Sequence, residues 1–130
     1  LTGPYVLEDG KRKRAYLFAF IDDCSRIVPF AYFSTKQNFN VMKDVYLKAV
    51  IRRGIPTLVY LDNGKVYRSS IFHEGCARMG TTVIHAQVRD AASKGKIERF
   101  FSTVRKRFLP LVSSEMLQLN QLNQAFLQWL

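Results

Sequence analysis

Asp62 and Glu98 stand with 35 residues between them, the first inside Leu61-Asp62-Asn63-Gly64 and the second inside Lys94-Gly95-Lys96-Ile97-Glu98-Arg99. Two acidic side chains carried on separate rigid elements are a ligand set for divalent metal ions, and such ions are the usual means of attacking a phosphodiester. Hard oxygen ligation of this kind suits Mg²⁺ or Mn²⁺ rather than zinc, and a two-metal site calls for a third carboxylate. Each motif alone has an ordinary meaning: Asp-Asn-Gly is a hairpin-turn signal, and Glu98 could be a solvated helix residue paired with Lys94 or Arg105.

The elements around the pair determine whether the two acids can meet. Ala15 to Asp22 and Ile27 to Ser34 are apolar, aromatic and β-branched runs separated by Asp23-Cys24-Ser25-Arg26, which predicts a β-hairpin. Ahead of them, Glu8 to Arg14 reads as a charged loop, with Thr2 to Leu7 the end of an earlier strand. Helical periodicity from Asn38 to Arg53, followed by Gly54, predicts the first helix. Thr57 to Leu61 is a short strand that delivers Asp62 at its carboxyl end, where active-site groups of open α/β sheets gather.

Ser69 or Ser70 caps a second helix that runs to Met79, and Thr81 to Ile84 reads as a fifth strand. Ala86 to Ser93 is polar and aperiodic and is expected to be a mobile loop. Ile97, Phe100, Phe101, Val104 and Phe108 recur at helical spacing with Pro110 closing the segment, so Glu98 belongs on a helix. In residues 114–130, Leu119, Leu122, Phe126 and Trp129 share one face and the chain stops on Trp129-Leu130. This suggests a truncated helix or one that packs on something outside the chain.

The chain has 130 residues, 48% of them apolar, enough for one domain with a buried core. Its longest uncharged apolar run, Ala15 to Ile21, is too short to cross a bilayer, and no signal segment opens it. It reads as soluble and cytoplasmic. Twenty Lys and Arg against ten Asp and Glu give a net charge of +10, which favours a polyanion, nucleic acid first, although a basic surface also serves solubility. Six of those cations, Lys94, Lys96, Arg99, Arg105, Lys106 and Arg107, crowd the Glu98 segment, where they could steer a phosphate backbone to the metals. Cys24 and Cys76 read as reduced, buried thiols, and His73 and His85 as isolated. Lys11 to Arg14 could touch DNA or simply solubilise a hairpin tip.

With these residues in place, the sequence resembles the integrase core of retroviral-type integrases and the related bacterial insertion-sequence transposases. In that family a strand ends in Asp-Asn-Gly-x-x-Tyr/Phe, matched by Asp62-Asn63-Gly64-Lys65-Val66-Tyr67, and a helix carries Lys/Asn-Gly-x-x/Ile-Glu-Arg, matched by Lys94 to Arg99. Asp22-Asp23-Cys24-Ser25-Arg26 is similar to the family's Asp-x-x-Ser-Arg hairpin signature. The resemblance implies a ribonuclease H-like α/β fold with a five-stranded mixed sheet flanked by helices. On that reading, residues 1–112 are the catalytic core and 113–130 a C-terminal amphipathic helix.

It further implies a polynucleotidyl transferase that frees a DNA 3′-hydroxyl with water and then joins that hydroxyl to target DNA. Two Mg²⁺ or Mn²⁺ ions would be held by Asp62, Glu98 and a third Asp, with DNA contacts from Lys94, Lys96, Arg99, Arg105 and Lys106. The expected partners are DNA and a second copy of the chain, with no membrane and no small-molecule substrate. The family's first Asp precedes a Thr, so Leu1-Thr2 resembles the remainder of that motif with its Asp immediately upstream. A fragment without that residue should be inactive; Asp9, Asp22 and Asp23 are the alternatives inside the chain. The rival functions are a ribonuclease H-like nuclease that only hydrolyses and an inactive DNA-binding or assembly module.

Overall fold

The computed structural model describes residues 1–86, 91–112 and 116–130, with the backbone alone for 91–93. Its first two strands, β1 (Thr2–Glu8) and β2 (Lys11–Phe20), are joined by Asp9-Gly10 alone. Both turn residues have positive φ, 52° and 70°, the backbone that a two-residue hairpin needs and that Asp-Gly supplies. So tight a turn lets the pairing resume at once, with Glu8 opposite Lys11 and Tyr5 opposite Arg14. The charged segment expected to be a loop is therefore strand through Lys11 to Arg14.

β3 (Phe30–Ser34) pairs antiparallel with β2, from Tyr16 opposite Ser34 to Phe20 opposite Phe30, as the apolar runs predict. The connection turns on Asp22, whose carboxylate accepts from the Ser25 amide at 2.7 Å and from the Ser25 hydroxyl. Cys24 lies exposed in this turn while Cys76 is buried, so only one of the two free thiols is a core residue.

Helix α1 (Phe39–Arg53) begins where the Asn38 side chain accepts from the Val41 amide at 3.1 Å and ends before Gly54. It buries Met42, Val45, Tyr46 and Ala49. Beyond it, β4 (Leu58–Leu61), α2 (Ser70–Arg78) and β5 (Thr82–His85) form a parallel crossover unit, with Leu58 opposite Thr82 and Leu61 opposite His85.

The five strands do not make the single mixed sheet expected from the sequence. They form a three-stranded antiparallel sheet, β1-β2-β3, and a separate parallel pair, β4-β5. Leu1 exchanges backbone hydrogen bonds with Leu17 at 3.0 and 2.7 Å. Phe18 and Phe20 of β2 then face Leu58 to Leu61 of β4 across a cleft of about 1240 Å³. Contact between the two sheets runs through side chains: Met42 and Tyr46 of α1 pack with Val59 and Leu61 of β4 and Phe72 and Cys76 of α2, and Phe18 and Phe20 lean on the same cluster.

Helix α3 (Ala91–Thr103) continues through a π-helical turn at Val104–Phe108 into α4 (Leu109–Val112). The described part of the helix thus includes Ala91 to Ser93 of the segment expected to be a loop; residues 87–90 of that segment lie outside the described residues. Pro110 sits within α4 directly after the wide turn and does not close the helix. The π turn keeps Val104 and Phe108 inward and leaves Arg105, Lys106 and Arg107 exposed.

Helix α5 (Leu119–Trp129) packs its predicted apolar face inside this chain, so nothing external is needed to cover it. Leu122 and Phe126 join Val104, Phe108 and the inward residues Val6, Ala15, Leu17, Ala31 and Phe33 in the main core. Phe33 meets Phe126 edge-on at 5.1 Å, and Phe126 meets Phe108 at 5.0 Å. Asn123 is buried beside them. Its side-chain oxygen accepts from the Phe33 amide at 2.8 Å and its amide donates to the Phe33 carbonyl at 2.9 Å, which closes the open edge of β3. Among the described residues, no helix is long and apolar enough to cross a membrane.

Candidate active site

The alternation of β4 buries Val59 and Leu61 and leaves the next residue, Asp62, exposed at the carboxyl end of the strand. Its backbone is tied to β5 on several sides. The Ala86 amide donates to the Leu61 carbonyl at 2.7 Å, and the Asn63 side chain donates to the Ala86 carbonyl at 2.5 Å. The Asp62 carboxylate accepts from the Gly64 amide at 2.9 Å.

A Cβ at position 64 would stand 2.9 Å from that carboxylate oxygen and 3.2 Å from the Tyr67 ring. A side chain here would crowd both groups, and the chain passes into a single 3₁₀ turn at Lys65–Tyr67 instead of a hairpin. Tyr67 packs beside the acid: burial raises its hydroxyl pKa, and the charge of Asp62 adds to the rise.

Glu98 sits near the middle of α3 with its side chain exposed, and it lines the same cleft as Asp62. Ile97 and Phe101, one turn apart, line the cleft from the same helix, and Lys94 lies one turn before Glu98. The fold thus brings the two acids of distant sequence to one cleft. Among the described residues, neither Lys94 nor Arg105 forms an ion pair with Glu98, so the helix-surface pairing that would explain Glu98 without chemistry is not made.

Leu1 also lines the cleft.

The alternative acids are differently placed. Asp9 is at the hairpin tip, 3.8 Å from Lys13, at the end of β1 remote from Leu1. Asp22 and Asp23 line the cleft, but Asp22 is committed to its turn, whose bonds from Ser25 lower its pKa. Asp23 is paired with Lys96 and lies 3.7 Å from Arg26. Lys96 is thus held by an acid of the β2–β3 turn, whereas Arg99, Arg105 and Lys106 are exposed and Lys94 is half-buried at the cleft.

His73 and His85, which the sequence suggests are isolated, are joined by a 2.8 Å contact between their Nε2 atoms. Only the placement of α2 against the end of β5 brings them together, and no local spacing announces that. Among the described residues, no group of three or more His, Cys, Asp and Glu is arranged to hold a metal. The donors that fit a hard divalent ion are the carboxylates of Asp62 and Glu98.

The sequence model of the integrase core domain family matches residues 2–91. No curated protein matches by sequence. Solved structures do match in fold. A chain of the simian T-cell lymphotropic virus intasome, solved in complex with the PP2A regulatory subunit B56 gamma, is 19% identical with a TM-score of 0.71; the match covers 85% of the present chain and 39% of that one. The HTLV-2 integrase catalytic core domain in complex with magnesium, in a trimeric form, is 19% identical with a TM-score of 0.66, over 93% of this chain and 76% of that one. Its dimeric form gives 18% identity and a TM-score of 0.58, over 78% and 62%. The ribonuclease H-like architecture is therefore that of integrase catalytic cores.

Proposed function

Because the chain belongs to the integrase core domain family, we propose that it is the catalytic core of a DNA transposase or integrase that cleaves DNA 3′ ends and joins them to target DNA. The observation that carries this reading is the convergence of Asp62, from the end of β4, and Glu98, from α3, on one cleft. In this role both carboxylates hold Mg²⁺ or Mn²⁺. Such ions, when bound, activate the attacking oxygen and stabilise the leaving oxygen. That an HTLV-2 core of the same fold was solved with magnesium supports this choice of metal.

Asp62 is suited to the task because its strand, the Gly64 amide and the tether through Asn63 fix where its carboxylate points. Glu98 faces the cleft from an independent helix and remains available for a metal. A two-metal site of this kind calls for a third carboxylate besides these two.

Lys94, Arg99, Arg105 and Lys106 lead the phosphate backbone to the acids, and Lys96 joins them when DNA displaces Asp23. The protein acts as a homodimer or larger assembly, as the dimeric and trimeric forms of the HTLV-2 core suggest by analogy.

The test is a strand-transfer assay with the full-length protein, pre-cleaved DNA ends and Mg²⁺. Joined product is expected. Hydrolysis without joining would replace this reading by that of a nuclease.

A further inference from the structure

The geometry points to His85 and His73 as a positioning dyad for Asp62: a two-imidazole strut that runs from α2 to the backbone of the metal-binding acid. This inference rests on the proposed metal site and adds residues to it. His85 closes β5 opposite Leu61, and its Nδ1 lies 3.3 Å from the carbonyl oxygen of Asp62. A carbonyl only accepts, so Nδ1 must carry the proton and donate. The other nitrogen of a neutral His85 is then an acceptor, and it lies 2.8 Å from Nε2 of His73. With both rings neutral, His73 donates through its own Nε2–H; with His85 doubly protonated, the Nε2–H of His85 donates to His73 instead, and both contacts are still made.

The shape of the pair excludes the commoner use of two histidines. With centroids 4.9 Å apart, planes within 16° and the nitrogens at 2.8 Å, the rings lie nearly end to end in a common plane, their Nε2 atoms pointing at each other. Two nitrogens on one tetrahedral zinc stand roughly 3.3 Å apart or more, given the usual Zn–N bond. The pair is at hydrogen-bond distance instead.

Asp62 is otherwise held through Leu61, Asn63 and its own carboxylate; His85 is the side chain that grips its carbonyl. Rotation of the peptide after Asp62 swings the carboxylate relative to Glu98, and His85 opposes that rotation because His73 holds the imidazole plane. Groups that orient a metal ligand in this way typically change metal affinity by about 10- to 100-fold when removed.

The experiment measures Mn²⁺ binding to the full-length protein by electron paramagnetic resonance, with strand transfer recorded in parallel. His85→Phe keeps a ring but no nitrogen and is expected to weaken Mn²⁺ binding about tenfold, with joining restored by added Mn²⁺. His85→Asn places an amide donor where Nδ1 was and should bind within about threefold of wild type. His73→Phe should fall between them, and His73→Gln, which keeps the Nε donor, should recover.

If the Phe variants do not fold, the Asn and Gln variants are compared with His85→Leu and His73→Leu, with thermal unfolding confirming the fold. Wild-type Mn²⁺ affinity in folded His85→Phe, or equal losses in His85→Phe and His85→Asn, overturns the dyad. Asp62→Asn separates the two levels. If it abolishes Mn²⁺ binding while His85→Phe is silent, only the dyad fails. If Asp62→Asn is itself silent, the metal site fails with it.

Discussion

The two sheets of this molecule are finished differently. The antiparallel β1-β2-β3 sheet packs one face on a core in which Phe33, Phe108 and Phe126 interlock, and Asn123 occupies the backbone groups at the β3 edge. The parallel β4-β5 pair shares its core residues Val59 and Leu61 with α1 and α2, but it opens toward β2 on a cleft. Asp62 and Glu98 are at that cleft. Aromatic packing on one side holds α3 and α5 in place, and the open side leaves the carboxylates of Asp62 and Glu98 exposed, as the proposed metal site requires.

The two sides should respond differently to substitution. Asp62→Asn in the full-length protein should reduce strand joining by at least about 100-fold, since even supporting groups around metal ligands are worth that much. Its thermal midpoint should stay near that of wild type. Phe126→Ala does the reverse: it removes a fully buried ring that touches Phe33, Phe108 and Trp129, and should cost about 3–5 kcal/mol in urea unfolding.

Asn123→Leu keeps the volume but strands the Phe33 amide and carbonyl, for a loss of roughly 1–3 kcal/mol in the same measurement. Lys94→Ala should leave stability within about 0.5 kcal/mol. It should lower the slope of log affinity for DNA against log salt by about one. Unfolding curves on which Asp62→Asn is as damaging as Phe126→Ala would erase the distinction between the two sides.

Much of this arrangement is written locally. The hairpin, the Asn38-to-Gly54 helix, the strand that ends at Asp62 and the apolar face of α5 follow from periodicity and turn residues, which are properties of neighbouring positions. Lys11 to Arg14 was obscured because charge suggests a loop, whereas the positive φ angles of Asp9-Gly10 allow pairing to begin at once.

Other features depend on what meets through space. The division into three strands and two depends on which strands pair through space, and no single run of residues specifies it. Asn123 reads as one more polar residue of a Gln- and Asn-rich helix until Phe33, 90 positions away, is brought against it. The His73–His85 contact and the Asp23–Lys96 pair are likewise products of packing between elements. Asp62 and Glu98 stand out as candidates because spacing and flanks are properties of the sequence; that they line one cleft required the fold.

The central claim is that Asp62 and Glu98 hold the same metal site. A crystal structure of the full-length protein grown with Mn²⁺, with the ion located by its anomalous scattering, tests this most directly. Manganese is expected in the cleft within roughly 2.0–2.3 Å of an oxygen of each carboxylate. An ion bound elsewhere with both carboxylates free, or the two acids turned away from each other with DNA in place, would contradict it.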